Sequence, residues 1–141
     1  MKKILVLCTG NSCRSQIAEG YLRFFAGGKA SVYSAGVETH GINPKAISIM
    51  GEDGIDISGH TSNNIDEYTD IAFDYVITVC DSARETCPYF SGKVAHRIHM
   101  PFEDPASATG TNEEKLRVYR QVRDQIREEF RKFYEEIRDK R

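Results

Sequence analysis

The sequence contains no long apolar run and carries almost no net charge. Its 141 residues include 19 Lys and Arg against 21 Asp and Glu, a formal net charge of −2, so we expect no nonspecific binding to nucleic acid or to anionic membranes. The N-terminal apolar run, residues 4–7, is shorter than the roughly 7–15 apolar residues of a secretory signal, and no stretch approaches the roughly 18 of a membrane span. These absences predict a cytoplasmic protein that must bind any anion locally.

The sequence has four cysteines, Cys8, Cys13, Cys80 and Cys87, and lacks a zinc-binding pattern among them. Neither pair has the short spacing and matching distant partner that indicate a structural zinc site. A chain of this length can form a core without disulfides, so the cysteines are expected to rest as thiols available for chemistry in a reducing compartment. The length, with no repeat or linker, predicts one domain over residues 1–141, which we expect to be a monomer.

The hydrophobic pattern alternates between strands and helices. Segment 74–79 is rich in β-branched and aromatic residues, and apolar residues recur at helical steps between Tyr119 and Ile137. Strands are predicted at residues 2–7, 31–35, 74–79 and 94–99, and helices at 15–25, 43–50 and from 111 onward, where Thr111 and Glu114 form a capping-box pattern. This alternation predicts a small α/β domain with a mainly parallel sheet flanked by helices.

The segment Cys-Thr-Gly-Asn-Ser-Cys-Arg-Ser, residues 8–15, joins the first strand to the first helix. Ligands of open parallel sheets bind beyond the carboxyl ends of the strands, so this loop is the default binding site. Its N–H groups and the positive end of the following helix can bind a tetrahedral oxyanion. Gly10 is expected to permit an unusual backbone angle and Asn11 a left-handed one. The candidate binding residues are Thr9, Gly10, Asn11, Ser12, Cys13, Arg14 and Ser15.

A cysteine at the base of this loop, and the lack of a Gly-Lys-Ser/Thr sequence, distinguish it from an ATP-binding phosphate loop. The loop is expected to favour a thiolate at Cys8, because comparable sites lower a thiol pKa to roughly 3.5–7.5. Arg14 can make two parallel hydrogen bonds to the oxyanion, and Ser15 can make one to the thiolate. A small buried apolar role is the alternative for such cysteines; we favour it for Cys13, with a side reaction with Cys8 as the less favoured interpretation.

At this point the chain resembles the low-molecular-weight protein tyrosine phosphatase fold, and within it the thioredoxin-coupled arsenate reductases more closely. Nearly the whole length carries the resemblance, in the segments CTGNSCRSQIAEG, YSAGVETHGINPKAI, IDISGHTS, VITVCDSARETCP and FEDPA. The resemblance implies a four-stranded parallel sheet with helices on both sides. It also implies that Cys8 is the nucleophile, Arg14 the oxyanion clamp, Asp104 the proton donor, and Cys80 and Cys87 the redox pair.

The implied reaction gives the additional cysteines a role, because reduction of arsenate to arsenite needs two electrons and phosphoryl transfer needs none. Cys8 would attack arsenic while Asp104 protonates the departing oxygen, Cys80 would displace arsenite, and Cys87 would then attack Cys80. No flavin or nicotinamide fingerprint is present, so we expect no bound cofactor and an external reductant, thioredoxin or a similar dithiol protein. Phosphate and sulfate are expected to bind as analogues of arsenate.

The spacing of Cys80 and Cys87 makes a geometric prediction. If residues 80–87 were helical, the two Cα atoms would be about 10.5 Å apart, whereas a disulfide needs roughly 4.4–6.8 Å. The segment from Asp81 to Thr86 must therefore loop or unwind when the bond forms, and we interpret it as a redox-driven hinge.

Several residue roles have alternatives. Cys80 could be a core residue at a strand end, and Cys87 an incidental thiol. Glu103 rivals Asp104 as the acid, although the following Pro105 favours an extended conformation that projects the Asp104 carboxyl from its loop.

The main alternative function is a low-molecular-weight phosphatase whose extra cysteines protect the nucleophile, and a non-enzymatic oxyanion-binding or redox-sensing module is another. Ala106 disfavours the phosphatase, because those relatives usually have an aromatic residue there. The resemblance also implies a weak monovalent cation site at Asn11, Glu19 and Ser34, where Asn63 replaces the aspartate of cation-binding members.

Overall fold

The regular elements follow the alternation that the hydrophobic pattern predicts. A computed structural model describes residues 1–139. Within these residues the strands are β1 (Lys2–Leu7), β2 (Ala30–Ala35), β3 (Phe73–Thr78) and β4 (Val94–His99). The helices of the same residues are α1 (Arg14–Ala26), α2 (Pro44–Glu52) and α3 (Asn112–Ile137), with short 3₁₀ helices at Ile65–Tyr68 and Pro105–Ser107. Most predicted bounds differ from these by one residue, and none by more than two.

The four strands form one parallel sheet in the order β2-β1-β3-β4, which confirms the predicted fold class. Strand β1 lies in the interior of the sheet, between β2 and β3. Its last four residues are apolar and fully buried, as expected for a strand covered on both faces. Leu7 at its end pairs in register with Ala35 of β2 and Thr78 of β3. The residues that follow β1, β2 and β3 therefore meet at one edge of the sheet.

The two faces of the sheet are covered differently. Ile4 and Val6 face a core that includes buried residues of α1, α2 and α3. Leu5 and Leu7 face a smaller core that the 3₁₀ helix Ile65–Tyr68 and Phe90 help to form. The resemblance implies helices on both sides of the sheet. Among the described residues, the three α-helices pack on one face, and the other face is covered by a 3₁₀ helix and loops.

Helix α3 begins with the predicted capping box, in which Thr111 Oγ1 accepts from Glu114 N–H and the Glu114 carboxylate accepts from Thr111 N–H. Its apolar residues recur on one face and pack against α1 and α2. Its other face carries ion pairs such as Arg131 with Glu128 and Glu135. In the part of the chain that the structure describes, no helix combines the length and apolar character needed to cross a membrane.

Candidate active site

The loop between β1 and α1, residues 8–13, is held in shape by Asn11. This buried residue has a φ of 46°, the left-handed conformation that the sequence predicts. Its Oδ1 accepts from the Asn63 N–H at 2.7 Å and its Nδ2 donates to Ser15 Oγ at 2.9 Å. Among residues 1–139, Ser15 Oγ accepts from Asn11 and has no hydrogen bond to the Cys8 sulfur, which differs from the prediction.

The loop directs its carbonyl groups outward and leaves its N–H groups free. The carbonyl oxygens of Thr9, Gly10 and Ser12 accept hydrogen bonds of 3.0–3.1 Å from N–H groups of the segment 38–43. Within residues 1–139, the N–H groups of residues 10–13 have no hydrogen-bond acceptor, and α1 starts without a side-chain cap. A row of free N–H groups at a helix N-terminus is the arrangement that binds an oxyanion.

Two glycines allow other parts of the chain to approach this loop. A Cβ at Gly10 would lie 2.6 Å from Nδ1 of the exposed His40, and the φ of Gly10 is not positive, so the predicted unusual backbone angle is wrong. A Cβ at Gly36 would lie 2.5 Å from the Thr9 carbonyl oxygen. Sequence reasoning missed Gly36, although a glycine directly after a strand that ends at this edge was a signal of close packing.

Arg14 is almost fully buried, with 3 % of its surface exposed. Its Nη1 donates to the Phe102 carbonyl at 3.1 Å and to Glu85 Oε2 at 2.7 Å, and its Nη2 donates to Glu85 Oε1 at 2.8 Å. Its Nε is buried and has no acceptor within the described residues. Because a buried charged donor without an acceptor is costly, this nitrogen indicates a place for an anion.

Glu85 is a site residue that sequence reasoning missed. Besides the two bonds from Arg14, its carboxylate accepts from Thr9 Oγ1 at 2.8 Å and from the Asp81 N–H at 3.1 Å. The hydrogen bonds from Arg14 are the main reason that the pKa of Glu85 falls from its ordinary 4.5 to about 2. No signal in the sequence could link Glu85 to Arg14, because the two lie 71 positions apart.

Asp104 reaches the same site from the loop after β4. Its Oδ2 lies 3.8 Å from Arg14 Nη2, while its Oδ1 accepts from the Ala106 N–H at 3.0 Å. Asp104 lines the cavity that contains Cys8, whereas Glu103 is exposed and does not line it. Of the two candidate acids, the structure therefore brings Asp104 into the cavity that Cys8 lines.

These side chains surround a cavity of about 360 Å³. Its lining residues are Cys8, Thr9, Gly10, Ser12, Cys13, Arg14, His40, Asn43, Glu85, Asp104 and Ala106. The cavity thus includes most of the candidate binding residues. Asn11 and Ser15 lie behind it and shape the loop.

The pKa of the Cys8 thiol is raised above its ordinary value of 9.0. Burial is the main cause, since it disfavours the charged thiolate, and the carboxylates of Glu85 and Asp104 add to it. Arg14 and the Thr9 N–H act in the opposite direction but do not outweigh burial. The predicted lowering of this pKa is therefore wrong for this form of the protein.

The other cysteines divide into a core residue and a bonded pair. Cys13 packs in the main core, and burial raises its pKa far above 9.0, which agrees with its interpretation as a small apolar residue. Cys80 and Cys87 form a disulfide with their Cα atoms 5.8 Å apart, so they are not the resting thiols that composition predicts. The intervening residues form turns without an α-helix, which confirms that the segment loops when the bond exists.

The residues of the implied cation site pair with one another and with an arginine. Glu19 is buried; its Oε1 accepts from Ser34 Oγ at 2.6 Å and its Oε2 from Arg23 Nε at 2.7 Å. The oxygen of Asn11 is also taken, by the Asn63 N–H. No group of three or more His, Cys, Asp or Glu side chains in residues 1–139 is placed to hold a metal. These contacts do not fit a bound cation, because Arg23 already neutralises Glu19.

Comparisons with known proteins show which family and which fold this chain resembles. The pattern of the family described as low molecular weight phosphotyrosine protein phosphatase matches residues 3–141. An arsenate reductase of Halalkalibacterium halodurans is 48 % identical over 134 residues, which cover 95 % of this chain and 96 % of the relative. The structure of an arsenate reductase in the phosphate binding state has a TM-score of 0.81 at 36 % identity, covering 97 % of this chain and 99 % of that one. A thioredoxin-dependent arsenate reductase of Corynebacterium glutamicum has a TM-score of 0.71 at 26 % identity, covering 98 % of this chain and 62 % of that one.

Proposed function

The chain belongs to the low molecular weight phosphotyrosine protein phosphatase family, and from this premise and its similarity to arsenate reductases we infer that it reduces arsenate to arsenite. The observation that carries this function is the Cys80–Cys87 disulfide beside the anion loop. Hydrolysis of a phosphate ester needs a nucleophile, an anion clamp and an acid. It needs no pair of further thiols, whereas a two-electron reduction does.

In the reduced protein, arsenate binds to the free N–H groups of residues 10–13 and to Arg14. The Cys8 sulfur attacks arsenic, and Asp104 protonates the oxygen that leaves as water. Three features support these roles: Cys8 lies at the base of the loop, Arg14 has an unpaired buried nitrogen, and Asp104 lines the cavity between them.

The electrons come from a second thiol. The Cys80 thiolate attacks the Cys8 sulfur, a sulfur–sulfur bond forms, the sulfur–arsenic bond breaks, and the electron pair stays on arsenic, which leaves as arsenite. The sheet supports this contact, because Leu7 pairs with Thr78 and the Val79 N–H donates to the Leu7 carbonyl at 2.9 Å. Cys8 and Cys80 therefore follow neighbouring strand ends.

Cys87 then attacks the Cys80 sulfur and releases Cys8 as a thiolate. The disulfide of the structure, Cys80–Cys87, is the product of this step. We propose that thioredoxin returns the two electrons by thiol–disulfide exchange, with no cofactor bound to the chain itself. Such an exchange places the reaction in a reducing compartment such as the cytoplasm, and one copy of the chain supplies every group that it uses.

The variant Cys87→Ser tests this scheme. With excess arsenate and a thioredoxin system, we expect this variant to release about one arsenite per protein and then stop, while the unaltered protein turns over repeatedly. Hydrolysis of an aryl phosphate is the internal control, since it would use Cys8, Arg14 and Asp104 alone. Aryl phosphate hydrolysis without any arsenite from the unaltered protein would instead identify a phosphatase.

A further inference from the structure

The loop that the disulfide closes carries a carboxylate into the anion site. Glu85 lies between Cys80 and Cys87, and its N–H donates to the Asp81 carbonyl at 2.9 Å. This turn aims the Glu85 side chain across the cavity to Arg14, which it meets end-on through both carboxylate oxygens. The anion clamp of the oxidised protein is therefore already bound to an anion, one that belongs to the chain.

We propose that Glu85 competes with the oxyanion for Arg14 as long as the Cys80–Cys87 disulfide is present, so that the oxidised protein binds arsenate and phosphate weakly. The inference rests on the proposed function, in which this disulfide is the end of each cycle. It assigns Glu85 a role that the reaction itself does not require.

The hydrogen bonds support competition. Glu85 takes the end-on pair of guanidinium donors, one N–H of Nη1 and one of Nη2, at 2.7 and 2.8 Å. An oxyanion that binds two N–H groups in parallel can then use only the side-on pair of Nε and Nη2, on a guanidinium whose charge Glu85 already balances. Nη1 also donates to the Phe102 carbonyl, which leaves Nε as the nitrogen without a partner. Thr9 at the rim of the loop is engaged as well, since its hydroxyl donates to Glu85.

The charges act in the same direction. Among the described residues that line the cavity, Arg14 is the single Arg or Lys, whereas Glu85 and Asp104 are both carboxylic acids. An arsenate or phosphate dianion entering the oxidised protein would meet two carboxylates and share one guanidinium with them. Like charges repel each other more in such a partly buried site than they do in bulk water.

The contact depends on the disulfide because Glu85 lies inside the ring that the disulfide closes. The Cα atoms of Cys80 and Cys87 are 5.8 Å apart, and reduction frees the segment between them from that constraint. Because oxyanion binding is weakened only while the disulfide is present, the oxidised protein avoids forming an arsenate adduct that it cannot reduce. If arsenate formed an adduct with Cys8 while Cys80 was still oxidised, no Cys80 thiol would be available to displace arsenite.

The test uses calorimetry to measure the binding of inorganic phosphate to the full chain. The protein is compared in two states, reduced with dithiothreitol and oxidised to the Cys80–Cys87 disulfide. Peptide mass analysis checks the state of the two cysteines. We expect the oxidised protein to bind phosphate at least about tenfold more weakly than the reduced one, the change expected from losing a charged hydrogen bond. In Glu85→Gln, and in Glu85→Ala as a second variant, the oxidised form should recover about tenfold in affinity. Asp81→Asn is the matched control, because it removes one charge from the same loop without a bond to Arg14, and it should stay within about twofold.

Three results would overturn the proposal. Phosphate affinity of oxidised Glu85→Gln equal to or below that of the unaltered protein would mean that Glu85 positions Arg14 or has no effect. An equal gain in Asp81→Asn would indicate a general charge effect, and an equal gain in reduced Glu85→Gln would remove the link to the disulfide. Arsenite release by the reduced unaltered protein is measured separately, so a failure of the proposed function is seen independently of the phosphate comparison.

Discussion

Cys80 and Cys87 share one disulfide but differ in access to solvent. Cys80 is fully buried behind the end of β3, whereas Cys87 is only half-buried and lies next to the exposed Tyr89. The two halves of the disulfide differ: the Cys80 residue is shielded from solvent, and the Cys87 residue is partly exposed. We therefore expect a reductant that arrives from outside to attack at Cys87 rather than at Cys80.

A trapped mixed disulfide should show this direction. Thioredoxin with its second active-site cysteine replaced by serine attacks a disulfide but cannot complete the exchange. We expect it to become bonded to Cys87 and to leave Cys80 as a free thiol, as peptide mass analysis would detect. A dominant adduct at Cys80 would contradict this assignment of access.

The pH dependence of Cys8 alkylation is a second prediction. Because the pKa of Cys8 in the oxidised protein is raised above 9.0, less than about one molecule in a hundred should hold the thiolate at pH 7. The rate of alkylation by iodoacetamide, measured on the peptide that contains Cys8, should still be rising with pH between 7 and 9 and should reach no plateau there. Cys8→Ser gives the background, and a rate that is already constant at pH 7 would rule out the raised pKa.

The sequence predicted the fold and the base of the site because those features are local. A buried strand followed by Cys8, five residues and Arg14 specifies a loop at a helix start, and the alternation of elements specifies a parallel sheet. Glu85 could not be found in this way, because its contact with Arg14 exists only through the fold and the disulfide. The predicted direction of the Cys8 pKa shift was wrong for a related reason. Burial and the nearby carboxylates raise this pKa, and neither is visible in the motif.

Acid should selectively weaken the contribution of Glu85 to stability. Its pKa of about 2 in the folded protein lies below the ordinary 4.5, so its contribution is fully present above about pH 4.5 and is lost as the pH falls towards 2. Urea unfolding of the oxidised protein should show an advantage over Glu85→Gln at pH 6 that shrinks between pH 4.5 and 2.5. Glu136→Gln, on the exposed side of α3, should change the free energy of unfolding by no more than about 0.5 kcal/mol. An advantage over Glu85→Gln that is independent of pH would exclude the lowered pKa.

Because Arg23 pairs with Glu19, we expect potassium to have no specific effect on the melting temperature of the protein. Glu19 is buried and receives its positive partner from Arg23 at 2.7 Å, so potassium chloride should raise the melting temperature no more than choline chloride of equal ionic strength. Arg23→Gln leaves a buried carboxylate without that partner and should cost about 1–3 kcal/mol of stability. Arg131→Gln, which breaks exposed ion pairs, should cost less than about 1 kcal/mol. Stabilisation specific to potassium would show that a cation does bind beside Glu19.

Gly36 should be as important for oxyanion binding as a residue of the loop itself. A Cβ at this position would lie 2.5 Å from Thr9 O, 2.8 Å from Cys8 O and 2.9 Å from Asn11 N, and backbone atoms cannot yield as a flexible side chain can. Gly36→Ala must therefore displace the loop and its row of N–H groups. We expect a stability loss of about 1–3 kcal/mol from overpacking and a reduction of phosphate affinity in the reduced protein by at least about tenfold.

Gly59→Ala is the matched control for this substitution, because a Cβ there meets no atom within 4 Å and the φ is not positive. The control should bind phosphate as the unaltered protein does. The comparison separates loop geometry from general stability if both variants are measured well below their melting temperatures, where each is fully folded. If folded Gly36→Ala binds phosphate with unchanged affinity, the close packing of Gly36 does not hold the N–H groups in place, and the loop keeps its shape through the Asn11 bonds alone.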